Sequence, residues 1–222
     1  IKSEGILFSN EKTLLGGVSY GFSSNCEYFI SNYSASNYSS FFDINHNGSI
    51  IASINFNMPG KHNALNALVA FAIGREMNID NIAIANSLST FLGVKRRFSY
   101  ALKTPKIIID DYAHHPKEIM MTLLTAKELF PKRKLTVVFQ PHLYSRTKDF
   151  AQEFASSLNL AEELIITNIF PAREQPIIGV DSNMILDFCS NDKKQICDTS
   201  EVLDVLSKNK IDVLVTLGAG DI

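Results

Sequence analysis

Lys106–Pro116 reads KIIIDDYAHHP: three β-branched residues, then two carboxylates, a phenol and two imidazoles. A short β-branched run behind Pro105 predicts a buried strand, because branching at Cβ suits the pleated backbone. The polar cluster then falls where the strand ends. In an open parallel sheet, ligands bind beyond the carboxyl ends of the strands, so chemistry is expected there. Pro116 suits the first turn of a helix running to Phe130, since its missing N–H belongs to a group the helix leaves unpaired anyway.

The same grammar continues downstream. KLTVVFQ predicts a strand, Arg146 to Leu158 a helix, and ELIITNI another strand. Helices near Asp181–Cys189 and Glu201–Leu206 precede a last strand, IDVLVTL, which runs into Gly218-Ala219-Gly220. Strands alternating with helices predict right-handed crossovers and a mainly parallel, Rossmann-like sheet, an α/β fold.

Upstream, the first sixty residues are rich in Asn, Ser and aromatic residues and predict antiparallel β structure. Asn47-Gly48, between FFDI and IIASI, signals a hairpin, because both central residues of a type I′ turn need positive φ. After Met58-Pro59-Gly60 the period becomes helical, with Leu65, Leu68, Val69, Phe71, Ala72 and Met77 on one face. A second helix is expected over about Asp80–Phe91. The expected organisation is a first part over residues 1–95 and a Rossmann-like second part over 96–222, with a hinge near Gly93–Arg97.

Bulk properties narrow the function. With 45% hydrophobic and 20% charged residues, the chain has the composition of a soluble globular protein. A net charge of -2 provides no whole-chain field for nucleic acid. Cys26, Cys189 and Cys197 lie far apart without C-x-x-C spacing, which argues against a disulfide framework or structural zinc and fits a reducing cytoplasm. No apolar run reaches the roughly 18 residues of a membrane helix, and no charged leader before an apolar stretch is read at the amino terminus; neither nucleic acid nor membrane is expected as a partner. A chain that starts at Ile1 rather than Met is expected to be a piece of a longer protein.

Three polar clusters end consecutive apolar strands: Asp110, Asp111, Tyr112, His114 and His115; Gln140, His142, Tyr144 and Arg146; and Gly218, Gly220 and Asp221. In a parallel sheet they share one edge. Adjacent His114 and His115 diverge on regular backbone, and H-E-x-x-H is absent, so no metal ligands are assigned. One imidazole is expected to hydrogen-bond a polar substrate while its neighbour turns into the helix cap. Alternation sends one of Asp110 and Asp111 inward, onto backbone N–H groups, and the other toward ligand. Arg146 offers a fixed fork for a carboxylate or phosphate beside a helix start that favours anions; the alternative is a surface arginine without contacts. His62, Asn63 and Asn66 could read a base edge from one helix face, or Asn63 could be only a cap. Lys95-Arg96-Arg97 reads as a solvated hinge or a phosphate contact.

Taken in order, GKHNALNA, FLGVKRRF, DDYAHHPKEI, FQPHLYSRT and LGAGDI resemble the Mur ligases from about Met58 to Ile222. Within that family, DDYAHHP with FQPHxYxRT resembles the branch that joins L-alanine to UDP-N-acetylmuramate. The alternative is the branch that recycles murein tripeptide, which shares GVKRR and the His-His-Pro motif. The resemblance implies an enzyme of peptidoglycan precursor synthesis that uses ATP and Mg2+. The lactyl carboxylate is phosphorylated, and the amine of L-alanine then attacks the acyl phosphate. His62, Asn63 and Asn66 are implied on the adenine side, and Arg97 and Asp111 at the nucleotide. Tyr112, His114 and Arg146 are implied around the alanine, with His114 and Asp111 as catalytic residues. Leu143 departs from the family, which commonly has arginine there. No G-x-x-x-x-G-K-[ST] occurs in the sequence. Residues 1–95 are thus expected to be the end of a P-loop-type ATPase domain whose phosphate loop and magnesium ligands lie upstream, and the chain alone is expected to be inactive. Two other readings stay open, a non-catalytic nucleotide-binding module and a metal-dependent hydrolase built on DDYAHHP.

Overall fold

Asn47 and Gly48 take φ of 49° and 81°, and the chain reverses on these two residues from strand β4 (Ser39–His46) into β5 (Ser49–Phe56). The hairpin expected from Asn-Gly is therefore formed, with His46 opposite Ser49. The computed structural model describes residues 5–10, 16–36 and 38–222, and the chain divides into two units, Ile1–Gly93 and Val94–Ile222.

In the first unit, β1 (Phe8–Asn10), β2 (Val18–Gly21) and β3 (Tyr28–Ser36) precede the hairpin, and the sheet order is β1-β2-β3-β4-β5. Only β3–β5 are antiparallel. β1 pairs with β2, and β2 with β3, in parallel, which corrects the expectation of an antiparallel segment. The reason lies between β2 and β3: residues 22–27 form a loop rather than a tight reversal, and the Glu27 N–H donates to Ser19 Oγ at 2.9 Å. Helices α1 (Lys61–Glu76) and α2 (Asn81–Thr90) follow, as expected. Phe42, Ile44, Ile54 and Phe56 of the sheet are buried with Leu68 and Phe71 of α1. A Cβ on Gly74 would approach Ile84 Cδ1 to 2.9 Å, so α2 packs where α1 has no side chain. Asp80 caps α2 by accepting from Ile82 and Ala83 N–H.

The second unit contains β6 (Ser99–Leu102), β7 (Ile107–Asp111), α3 (Pro116–Leu129), β8 (Leu135–Phe139), α4 (Tyr144–Leu158), β9 (Glu163–Thr167), α5 (Asn183–Leu186), β10 (Lys193–Cys197), α6 (Val202–Ser207) and β11 (Val213–Leu217). The sheet order is β10-β9-β8-β11-β7-β6, all parallel except β6 against β7. This is the expected Rossmann-like arrangement. The central strands β8 and β9 are buried at every position, which is why they read as continuous apolar runs.

Neither edge strand is legible in the sequence. KKQIC of β10 keeps Lys193, Lys194 and Gln195 in solvent, and β6 is half exposed, so neither carries a hydrophobic signal; charged edges are how sheets avoid further pairing. The helix expected over Asp181–Cys189 is a single turn, Asn183–Leu186, continued by hydrogen-bonded turns in which Phe188 N–H donates to Ile185 O and Cys189 N–H to Leu186 O. Behind the sheet, Phe139 meets Phe154 at a ring separation of 5.3 Å, and Ser157 Oγ donates to Pro116 O at 2.9 Å, tying α4 to α3.

No helix among the described residues is long and apolar enough to cross a membrane. A Cβ on Gly48 would meet no atom within 4 Å, so Gly48→Ala has only the backbone conformation to oppose it. We predict a loss of about 1–2 kcal/mol in urea unfolding of the first unit; a larger loss would contradict the open-turn geometry.

Candidate functional site

Register decides what meets at the sheet edge. Leu217 of β11 pairs with Asp111 of β7 on one side and with Phe139 of β8 on the other, so the segments following all three strands leave from one row. The three polar clusters share that edge, as the parallel sheet required.

Alternation then separates the two carboxylates. Asp111 points inward and is 3% exposed. Its Oδ2 accepts from Phe98 N–H at 2.9 Å and Thr122 Oγ1 at 3.1 Å, and its Oδ1 accepts from Ala113 N–H at 2.8 Å. Burial pushes its pKa above the usual carboxylate range, against the pull of these donors and of Arg97. Asp111 thus holds the start of β6, the turn after β7 and the first half of α3 together. Asp110 faces the other way, 3.2 Å from Arg96 Nε, and accepts from Thr216 Oγ1 at 3.0 Å.

The two arginines of KRR divide in the same manner. Arg96 donates to Gly218 O at 2.6 Å and to Gly220 O at 2.9 Å while its guanidinium lies 5.2 Å from the Tyr112 ring centre. It is a cross-link between the strand ends. Arg97 is exposed, 5.9 Å from the same ring, and among the described residues its guanidinium has no hydrogen-bond partner. The terminal G-x-G is a packing device: a Cβ on Gly220 would fall 2.1 Å from Gln140 Oε1 and 2.7 Å from the Phe170 ring.

From Tyr112 a row of rings runs along the edge. Tyr112 meets His114 edge-on at 5.4 Å, His114 meets His142 at 5.9 Å, and His142 stacks on Phe170 at 5.7 Å. Arg146 closes the row, with Nη1 3.4 Å from His142 Nδ1. The structure therefore brings Tyr112, His114 and Arg146 together, and His142 is the residue that joins them. His142 stood in the sequence cluster without an assigned role. Burial, and then the charges of Arg146 and His114, lower its pKa, favouring neutral imidazole. His114 Nδ1 lies 3.0 Å from Tyr112 O, and its neighbour His115 is the N-cap residue of α3, its ring against Phe150 at 5.2 Å. Glu118 accepts from the N–H groups of both histidines, at 3.1 and 3.3 Å.

The start of α4 is already filled. Glu174 accepts from Ser145 N–H at 3.0 Å and from Ser145 Oγ at 2.5 Å. These bonds hold its pKa below the usual carboxylate range. The helix terminus is thus not an open anion site, and Arg146 presents cationic donors beside it. Leu143 is the N-cap residue of α4 at φ 73° and ψ 134°, a strained conformation for a leucine. Phe170 and Glu174 lie in a segment without helical or strand period, so no pattern in the sequence points to them.

In the first unit, Asn63 is buried and donates to Pro59 O at 2.7 Å; it does not cap α1, whose N-cap residue is Gly60. Asn66 is exposed and His62 half-buried on the same helix. Although Asn63 and Asn66 are one turn apart, they do not present two free amides together. Among the described residues no three His, Cys, Asp or Glu side chains group to hold a metal.

The family model for the Mur ligase, glutamate ligase domain, matches residues 96–220. The UDP-N-acetylmuramate–L-alanine ligase of Flavobacterium psychrophilum is 43% identical over 209 residues, 94% of this chain and 47% of its own length. The chain thus spans about half the length of such curated relatives. A crystal structure of UDP-N-acetylmuramate–alanine ligase from Thermotoga maritima superposes with a TM-score of 0.76 at 32% identity, covering 93% of this chain and 45% of that one. A murein peptide ligase from Psychrobacter arcticus shares the fold, with a TM-score of 0.61 at 22% identity over 90% of this chain and 43% of that one.

The raised pKa of Asp111 fixes the sign of a pH effect. The folded state keeps this proton to higher pH than the unfolded chain, so its contribution to stability is greatest in acid and declines as pH rises through the raised value. We predict that the stability margin of the natural chain over Asp111→Asn, measured by urea unfolding, shrinks from acid toward neutral pH; a margin that widens would contradict the assignment. Asp111→Ala orphans two buried N–H donors, at roughly 1–3 kcal/mol each.

Proposed function

The chain belongs to the Mur ligase family through its glutamate ligase domain, and from that premise we propose that it serves an ATP-dependent ligase joining L-alanine to the lactyl carboxylate of UDP-N-acetylmuramate. The observation that carries this reading is the row Tyr112–His114–His142–Arg146 at the strand ends. Residues 1–95 are read as the carboxy-terminal part of the central ATPase domain, supported by the match to the Thermotoga maritima structure over 93% of the chain. The setting is cytoplasmic cell-wall precursor synthesis.

A carboxylate is a poor electrophile, so an oxygen of the lactyl carboxylate takes the γ-phosphoryl group of ATP, releasing ADP. The alanine amine adds to the acyl carbon, and collapse of the tetrahedral centre expels phosphate and leaves the amide. Before that attack the alanine ammonium must lose a proton. His114 is suited to accept it, because with Nδ1 against the Tyr112 carbonyl it carries its own proton there, which leaves Nε2 as the acceptor. His142 takes the opposite tautomer, since its Nδ1 accepts from Arg146 and its Nε2 carries the proton. One imidazole removes a proton while the other donates a hydrogen bond. The Arg146 guanidinium pairs with the alanine carboxylate.

On the nucleotide side, exposed Arg97 is the residue free to meet phosphate, and Asp111 supports it by fixing the Phe98 N–H one residue away. His62 and Asn66 are kept as adenine contacts, with Asn63 holding the turn before them. Magnesium neutralises phosphate charge in such reactions. Its ligands are proposed to come from outside this chain. The same holds for the phosphate loop.

We predict that the 222-residue chain releases no phosphate above background from ATP with UDP-N-acetylmuramate and L-alanine. A chimera that places it behind the remaining half of the Flavobacterium psychrophilum ligase forms the amide. In that chimera Arg146→Ala raises KM for L-alanine about 10–100-fold with little change in that for ATP. An unchanged KM for alanine would remove Arg146 from the site.

A further inference from the structure

We infer that Glu174 is a positioning residue for Arg146, acting through Ser145 and the first turn of α4. The inference deepens the reading of Arg146 as the carboxylate ligand and rests on it. Residues 170–174 are stitched to residues 141–145 at four points. Phe170 N–H donates to Pro141 O at 2.8 Å, and Leu143 N–H donates to Phe170 O at 3.0 Å. Glu174 then receives both the N–H and the hydroxyl of Ser145. The turn that returns Glu174 to the helix is closed by its own N–H on Pro171 O at 2.9 Å, with Ala172 at φ 50°.

These bonds hold a conformation the backbone does not prefer. Leu143 at positive φ persists only where its surroundings over-determine it, and Glu174 supplies the last restraint before Arg146. Glu174 also fills the exposed N–H end of α4, which would otherwise compete with Arg146 for an incoming carboxylate. An amino acid arriving at this edge therefore finds its carboxylate partner at the guanidinium, one residue beyond Ser145, and its ammonium falls beside the two imidazoles.

A positioning role and a simple charge effect predict opposite signs at His142. The charged groups that face it are Arg146, His114 and Glu174, and among them only Glu174 favours its protonated form. If Glu174 acted through space alone, removing it would lower the His142 titration midpoint. If it holds Arg146 in place, Glu174→Ala releases the guanidinium from His142 and the midpoint rises. Glu174→Gln keeps an acceptor for Ser145 while losing the charge, so there the midpoint falls. Both variants alter a partly exposed loop side chain, and the fold is checked by the unchanged amide spectrum of the sheet.

The experiment is a pH titration of the His142 imidazole by NMR in the natural chain and the two variants. A rise in the alanine variant with a fall in the glutamine variant is expected. A fall in both overturns the inference. Neither arm contains the amino-acid substrate, so the result stands apart from the success of the proposed reaction. In the chimera, Glu174→Ala is expected to raise KM for L-alanine roughly tenfold with kcat within about twofold, and Glu174→Gln to restore it; equal KM values in all three proteins would also overturn the inference.

Discussion

The pairing of Leu217 with both Asp111 and Phe139 is the constraint on which the site depends. Because the three strands run parallel and end on one row, every segment that leaves them starts at the same level of the sheet. His114 and His142, well separated in sequence, then meet with their rings 5.9 Å apart. A slip of one residue in β7 would exchange Asp110 and Asp111 between faces, taking the Asp111 carboxylate away from the Phe98 and Ala113 N–H groups. Register here is therefore as much a functional specification as a structural one.

Adjacent residues of like chemistry consistently take different work. Asp111 is enclosed by donors while Asp110 pairs with Arg96. Arg96 binds two carbonyls of the chain end, whereas Arg97 is left to solvent. His115 begins α3, whereas His114 turns to the site. In the arginine and histidine pairs one member builds the edge and the other stands ready for ligand, whereas both carboxylates are bound within the edge. Such pairs explain how so short a stretch can hold so many polar groups.

What is legible in the sequence, and what is hidden, follows from burial. Strands β7, β8, β9 and β11 announce themselves because their apolar residues are covered, and Asn47-Gly48 announces the hairpin because few other residues tolerate its φ values. The edge strands β6 and β10 are silent, since half of each is solvated and its composition is that of a loop. The parallel pairing of β1 and β2 is hidden for another reason: pairing direction is set by the path of the connecting loop, which no periodicity encodes. At the site, Tyr112, His114 and Arg146 are legible because they crowd the ends of obvious strands. His142 is visible but without a role, which only its contacts with His114 and Arg146 supply. Phe170 and Glu174 sit in an irregular segment whose partners lie far back in the chain, so only the folded chain reveals them. Asn63 is a polar residue on a helix face whose amide donates within its own turn.

The central claim is that the sheet edge sets two imidazoles side by side in opposite tautomers, one fixed by the Tyr112 carbonyl and the other by Arg146. Long-range proton–nitrogen NMR correlation on the 222-residue chain at neutral pH reads the protonated nitrogen of each ring directly. The account predicts a proton on Nδ1 of His114 and on Nε2 of His142. The same tautomer in both rings, or an average of the two forms in either, would contradict it.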